Sequence, residues 1–249
     1  MIPLGDEGTP MRRGFPIVNV TIIVINIIVF FLQMTVGDPI TNGWSLIPRE
    51  ITTGIDLVGN FTVPGGGVLP LYPAPLGIPY LTLLTSMFMH GGLLHIGSNM
   101  LFLFIFGDNV EDNMGSLKYL VFYLLCGLGA DFTQILLGGP DSIIPNLGAS
   151  GAIAGVLGAY LLLFRQARVR ALIPFGYFST IASVPAFIMI GLWIVIQFVS
   201  VFVAGEQAEG GGGGVAYWAH IGGFVAGAIL VFVFRDRSQS DTIFSRYGE

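Results

Sequence analysis

The chain has three histidines in 249 residues, and all three lie in or beside apolar runs. Two stand in Met89-His90-Gly91-Gly92-Leu93-Leu94-His95-Ile96-Gly97-Ser98-Asn99, and the third in Ala219-His220-Ile221-Gly222-Gly223. His95 and Asn99 are one helical turn apart and share a face, whereas His90 points elsewhere. A serine occurs in Asn146-Leu147-Gly148-Ala149-Ser150-Gly151, where a glycine-bearing turn runs into another apolar stretch. A serine at a helix start commonly serves as an N-cap. Here its flanking glycines also let the backbone turn tightly and a second chain come close. The free N–H groups of a helix N-terminus, moreover, form a donor set for an oxyanion. A serine hydroxyl becomes nucleophilic when a base within hydrogen-bond reach takes its proton. Ser150 with His220 as base is therefore a candidate acyl-transfer pair, and His95 and Asn99 can add donors beside the Ser150 amide. No Asp or Glu is placed to orient His220, so a dyad without an acidic third member is expected. His90, His95 and His220 could in principle meet at a metal. No carboxylate or thiolate lies near them at ligand spacing, so neither metal nor cofactor is expected.

The elements that position these residues are membrane spans. Hydrophobic residues make up 53% of the chain and charged residues only 10%, with a mean hydropathy of +0.80. Soluble domains carry roughly 25% charged residues, so lipid is the solvent for most of this surface. Six apolar runs are read as spans: Ile17–Val36, Gly92–Val110, Ser116–Leu137, Ser150–Phe164, Pro185–Ala204 and Tyr217–Phe234. The fourth is short for a full crossing, which puts Ser150 below the membrane surface. Nine of the ten Lys and Arg residues fall on one side of this topology, Arg49 alone on the other. The positive-inside rule then places both termini in the cytoplasm and puts Ser150 and His220 at matching depths near the external ends of their spans. Span four carries Gly151, Ala154, Gly155 and Gly158, and span six Gly223 and Gly227, small residues that let membrane helices pack closely. The fold expected is an all-α, six-span bundle: a short cytoplasmic N-terminus over 1–16, one domain over 17–236, and a cytoplasmic tail over 237–249.

The external loop over 37–91 is rich in Pro and Gly and carries Trp44, Tyr72 and Tyr80, aromatics that suit partial immersion at the headgroup level. Five consecutive glycines, Gly210–Gly214, form either a plain linker or a mobile flap. Phe187, Trp193 and Phe198 in span five are either a gate or lipid-facing bulk, the latter being the simpler reading. Asp131 in span three is either a protonated structural group or a member of a proton pathway. Cys126 is the one cysteine, which excludes an intramolecular disulfide. No basic cluster is dense enough for nucleic acid.

Assembled, these motifs resemble the rhomboid family of intramembrane serine proteases. The resemblance rests on His90-xxxx-His95-xxx-Asn99, Gly148-Ala149-Ser150-Gly151 and Ala219-His220-xx-Gly223-xxx-Gly227, and covers about Phe15 to Arg237. It implies that Ser150 attacks the peptide bond while His220 serves as base and then acid. His95, Asn99 and the Ser150 amide would form the oxyanion hole, Gly148 would shape the loop before the serine, and His90 would steady the loop into span two. Glu111 matches a polar position kept at the inner end of span two. Where many relatives carry Trp-Arg in the first loop this chain has Leu81-Thr82, so the motif leaves that loop's anchor unassigned. The implied partners are single-span membrane protein substrates, which would reach the site laterally between spans two and five, and the lipid bilayer. The implied location is a multi-pass position in a membrane, with the short termini and lack of a transit-like leader favouring a prokaryotic plasma membrane. Two rivals are a binder of transmembrane helices that does not cut and a small six-span transporter using the histidines as a proton relay. The first would be signalled by loss of Ser150 or His220, and the second would leave the Gly-Ala-Ser-Gly turn without a purpose.

Overall fold

A computed structural model describes residues 1–7, 14–63, 66–175, 178–204 and 215–236. In lipid a chain must satisfy its backbone polar groups internally, and the apolar runs accordingly form helices. These are α1 (Ile17–Val36), a second span made of α5 (Leu93–Phe102), a π-helical turn (Leu103–Gly107) and α6 (Asp108–Met114), α7 (Ser116–Gly138), α8 (Ser150–Leu163), α9 (Ala186–Ala204) and α10 (Tyr217–Phe234). Among the described residues five helices are long and apolar enough to cross a membrane, and α8 is a shorter apolar one. At about 1.5 Å per residue the 14 residues of α8 reach only part of the way through a hydrocarbon core of roughly 30 Å. Helix α8 is buried on all sides from Gly151 to Tyr160 and is the centre of the bundle, with α7 and α10 packed along it.

Close packing around α8 comes from its glycines. A Cβ on Gly223 would overlap the carbonyl oxygen of Gly151, one on Gly227 that of Gly155, and one on Gly158 that of Phe224. Helices α8 and α10 therefore touch backbone to backbone. Gly227→Ala is expected to destabilise by about 1–3 kcal/mol, the usual cost of overpacking, whereas Gly191→Ala on α9, where an added methyl meets nothing within 4 Å, is expected to be neutral. Thermal unfolding in detergent checks this, and equal melting temperatures for the two variants would contradict it.

Span one turns its polar face inward. Asn19, Asn26 and Gln33 recur every two turns and are buried with Ile22, while Ile27, Ile28 and Phe31 face outward. The Asn19 amide donates to the Leu103 carbonyl at 3.0 Å, an acceptor in the π-helical turn, and the Tyr119 hydroxyl donates to Asn19 Oδ1 at 2.9 Å. At the same end Glu111 accepts the Val18 and Asn19 amides at 3.1 and 2.7 Å and the Ser116 hydroxyl at 2.6 Å. The carboxylate thus satisfies first-turn N–H groups of α1 that have no helical partner.

The all-α expectation needs correcting. Strand β1 (Ile2–Glu7) pairs antiparallel with β4 (Arg168–Phe175), which pairs with β5 (Phe178–Pro185). This sheet joins the chain's first residues, expected as a plain tail, to the connection between α8 and α9. It lies at the end of the bundle opposite Ser150, where Lys118, Arg165, Arg168, Arg170 and Arg235 also gather. Arg12, Arg13, Arg237, Arg246 and Gly210–Gly214 lie outside the described residues.

The loop between α1 and α5 is structured: α2 (Asp38–Gly43), α3 (Pro48–Thr53), a hairpin of β2 (Gly59–Thr62) with β3 (Val68–Leu71), and a short α4 (Thr82–Thr85). Its anchors are backbone pairings rather than an arginine. Leu46 exchanges two backbone hydrogen bonds with Asn146 at 2.9 and 2.7 Å, Arg49 N donates to Ser142 O at 3.0 Å, and Gly148 N donates to Ser86 O at 2.9 Å. The loop is thereby tied to the turn that precedes Ser150. At the Leu81-Thr82 position Thr82 is buried, its hydroxyl donating to the Pro79 carbonyl at 2.6 Å.

Inside this loop Glu50 is buried and accepts the Leu57 amide at 2.8 Å. Burial, with a smaller push from Asp56, raises its carboxyl to about 7. Because the folded value exceeds the unfolded one, the fold holds the proton more tightly, and that contribution is lost as pH rises through about 7. Glu50→Gln is therefore expected to raise the melting temperature at about pH 8 and leave it unchanged at about pH 4. Parallel pH dependences for variant and wild type would contradict this.

Candidate active site

Ser150 opens α8 directly after Gly148 and Ala149. Gly148 has φ +137°, and a Cβ there would sit 3.0–3.1 Å from the His95 imidazole and 3.4 Å from Ser150 Oγ. This turn therefore requires glycine on both conformational and steric grounds, and it lays the loop against His95. His220, in the first turn of α10, places Nε2 2.8 Å from Ser150 Oγ and Nδ1 2.8 Å from Gln197 Oε1. The Gln134 side chain from α7 accepts the Ala219 amide at 3.1 Å and fixes the start of α10.

Of the donors expected around Ser150, His95 lies against the Gly148 turn. The Gly91 amide donates to His95 Nδ1 at 3.2 Å. That leaves the proton of a neutral ring on Nε2, on the edge of the ring that lies against Gly148 in the Ser150 turn. Asn99 is buried one turn further along α5, and its amide nitrogen has no protein partner. His90 is buried with its ring edge-on to His95 at a 5.1 Å centroid separation. The two histidines meet because Gly91 and Gly92 break the helix between them, so the expectation that His90 points elsewhere is corrected. Its backbone is clamped by Gln33 of span one, which donates to the His90 carbonyl at 3.1 Å and accepts its amide at 2.9 Å. Among the described residues no group of three His, Cys, Asp or Glu side chains could hold a metal.

Two further residues at the site lie on α9: Gln197, which the sequence motifs do not single out, and Trp193, one of the three aromatics open to a gate or a bulk reading. Gln197 is buried against His220, and the Trp193 ring lies 5.5 Å from the imidazole, tilted by 38°. Trp193 thus faces the site, while Phe187 and Phe198 are exposed as bulk. The available signal was an amide side chain in an otherwise apolar span, one turn after a tryptophan. Asp131 lines a small cavity together with Ser150, Gln134 and Ser86, and its Oδ2 has no protein partner.

A multi-span bundle with a serine at the start of a buried central helix and a histidine nitrogen on its hydroxyl oxygen defines a class of membrane protein. The Rhomboid domain matches residues 79–237, and the chain belongs to the rhomboid family. RHOMBOID-like protein 4 of Arabidopsis thaliana is 27% identical over 247 residues, covering 95% of this chain and 57% of that protein. Rhomboid protein 1, mitochondrial, of Saccharomyces cerevisiae is 27% identical over 157 residues, covering 60% and 40%. Rhomboid protease GluP of Bacillus subtilis is 39% identical over 79 residues, covering 32% and 15%. The chain spans little more than half the length of the Arabidopsis relative. Plant, mitochondrial and bacterial proteins all occur among these matches, so they do not support the expectation of a prokaryotic plasma membrane.

Proposed function

We propose that this protein is an intramembrane serine endopeptidase that hydrolyses transmembrane protein substrates within or near the bilayer by a Ser-His dyad. The observation that supports this best is the 2.8 Å separation between His220 Nε2 and Ser150 Oγ at the start of a central buried helix. His220 takes the Ser150 proton as Oγ attacks the scissile carbonyl, and returns it to the leaving amine. The oxyanion that develops is met by the Ser150 amide, His95 Nε2–H and the Asn99 amide. Gly148 keeps the turn clear of side-chain atoms, and the packing of His90 against His95 holds that ring in place. Water then releases the acyl group, so protein side chains supply every proton transfer. In this reading six spans cross the bilayer with both termini cytoplasmic, and substrates are single-span membrane proteins.

Purified protein in proteoliposomes with a tagged single-span substrate tests the reading, followed by a fluorophosphonate probe and peptide mapping. Cleavage together with probe attached to Ser150 supports it. Labelling without cleavage retains the serine hydrolase and rejects the chosen substrate. If the protein neither cuts nor reacts, hydrolysis is excluded and a protein that binds transmembrane helices without cutting takes its place.

A further inference from the structure

Gln197 stands between two groups whose chemistry fixes its orientation. Its Nε2 lies 3.1 Å from the carbonyl oxygen of Trp193, one turn earlier on α9, and its Oε1 lies 2.8 Å from His220 Nδ1. A backbone carbonyl can only accept, so the amide nitrogen must face Trp193. The reverse orientation would set two acceptor oxygens against each other. Gln197 Oε1 therefore faces His220 and can only accept, which requires the proton of the neutral imidazole to reside on Nδ1. The Nε2 lone pair is then free to receive the Ser150 hydroxyl hydrogen.

Resting on the protease reading, we propose that Gln197 is the positioning residue of the dyad: it fixes the tautomer and ring angle that make His220 a base toward Ser150. A carboxylate is the usual orienting partner of such a histidine, and no acidic side chain among the described residues contacts the ring. A neutral amide gives the same orientation without burying a charge in the membrane interior, where an ionised group is costly. The groups facing the imidazole among the described residues are Ser150 from α8, Gln197 and Trp193 from α9, and His95 across the site. His95 is the titratable one among them. Because Gln197 and Trp193 both belong to α9, a displacement of this span relative to α10 removes the hydrogen bond and the ring contact together. The state of the base is thereby linked to the position of span five.

The test uses the full chain in detergent with 15N-labelled histidine, His220→Ala assigning the third ring. In wild type neutral His220 carries its proton on Nδ1, and in Gln197→Leu that preference is lost. In the same samples the rate of Ser150 modification by a fluorophosphonate falls about 10–100-fold in Gln197→Leu, the usual size of an orienting-partner effect, at unchanged melting temperature. Gln197→Glu keeps an acceptor at Nδ1 and adds a charge that favours the imidazolium. It restores the tautomer and moves the acid limb of the labelling rate upward by about one pH unit or more. A His220 that stays protonated on Nδ1 in Gln197→Leu, with unchanged labelling, overturns the proposal. A tautomer that depends on Gln197 in a protein whose serine never reacts supports the positioning role while rejecting the hydrolytic reading.

Discussion

Ser150→Ala and His220→Ala are each expected to lower substrate cleavage on the order of 10,000-fold or more, roughly 5 kcal/mol of transition-state stabilisation. The hydroxyl and the imidazole act as one unit across the 2.8 Å contact, so neither retains its function without the other. It follows that the double variant is no slower than either single one, since groups that act as a unit are not additive. Neither substitution removes a core side chain of α8, whose packing runs from Gly151 to Tyr160. The melting temperature of Ser150→Ala should therefore stay close to wild type, whereas His220→Ala, which loses its contacts with Gln197 and Trp193, should melt lower. Substrate cleavage by the three variants, measured beside thermal unfolding, checks both statements. A double variant much slower than the singles would mean that serine and histidine contribute independently, and cleavage persisting in Ser150→Ala would remove the nucleophile from the mechanism.

Much of what the sequence disclosed about this site followed from one physical rule, that polar groups in apolar spans are expensive and rarely idle. His95, Asn99 and His220 follow from that rule, Ser150 from its glycine-bearing turn at a helix start, and the glycine contact between α8 and α10 from small residues at one-turn spacing. The same rule, applied to amides as strictly as to histidines, would have reached Gln197 and Gln33. Gln33 sits on the stripe Asn19-Asn26-Gln33, whose heptad spacing marks an inward polar face on span one. Trp193 could not be sorted from Phe187 and Phe198 by composition, because its placement depends on which face of α9 meets α10.

The three-stranded sheet was hidden for a different reason. Its β1–β4 pairing sets Ile2 beside Leu172, a contact between distant parts of the chain that no local pattern encodes. Strand β5 also reads as Phe178-Ser179-Thr180-Ile181-Ala182-Ser183-Val184-Pro185, short and only weakly alternating, in a connection between two strong span signals. The first loop was similarly opaque. Its anchors are main-chain groups of Leu46, Arg49, Ser86, Ser142, Asn146 and Gly148, and side-chain identity says little about backbone partners. The Leu81-Thr82 departure removes a side chain that relatives carry, but not the pairing that ties the loop to the Ser150 turn.

Asn99→Ala is expected to reduce kcat by about 100–1,000-fold, near 3 kcal/mol, with KM almost unchanged. The Asn99 amide nitrogen is buried and has no protein partner, so it makes no hydrogen bond within the resting fold. A donor in that state adds nothing to stability. Deleting it should leave unfolding within about 1 kcal/mol of wild type, while removing a donor whose partner arises only as charge develops on the scissile oxygen. That pairing of unchanged stability with lost turnover separates a transition-state role from a structural one. His95→Ala provides the contrast: it loses the second donor and also the contact with His90, so it should lower both turnover and melting temperature. If Asn99→Ala instead loses stability in step with activity, Asn99 holds α5 in place and the oxyanion is stabilised by His95 and the Ser150 amide alone.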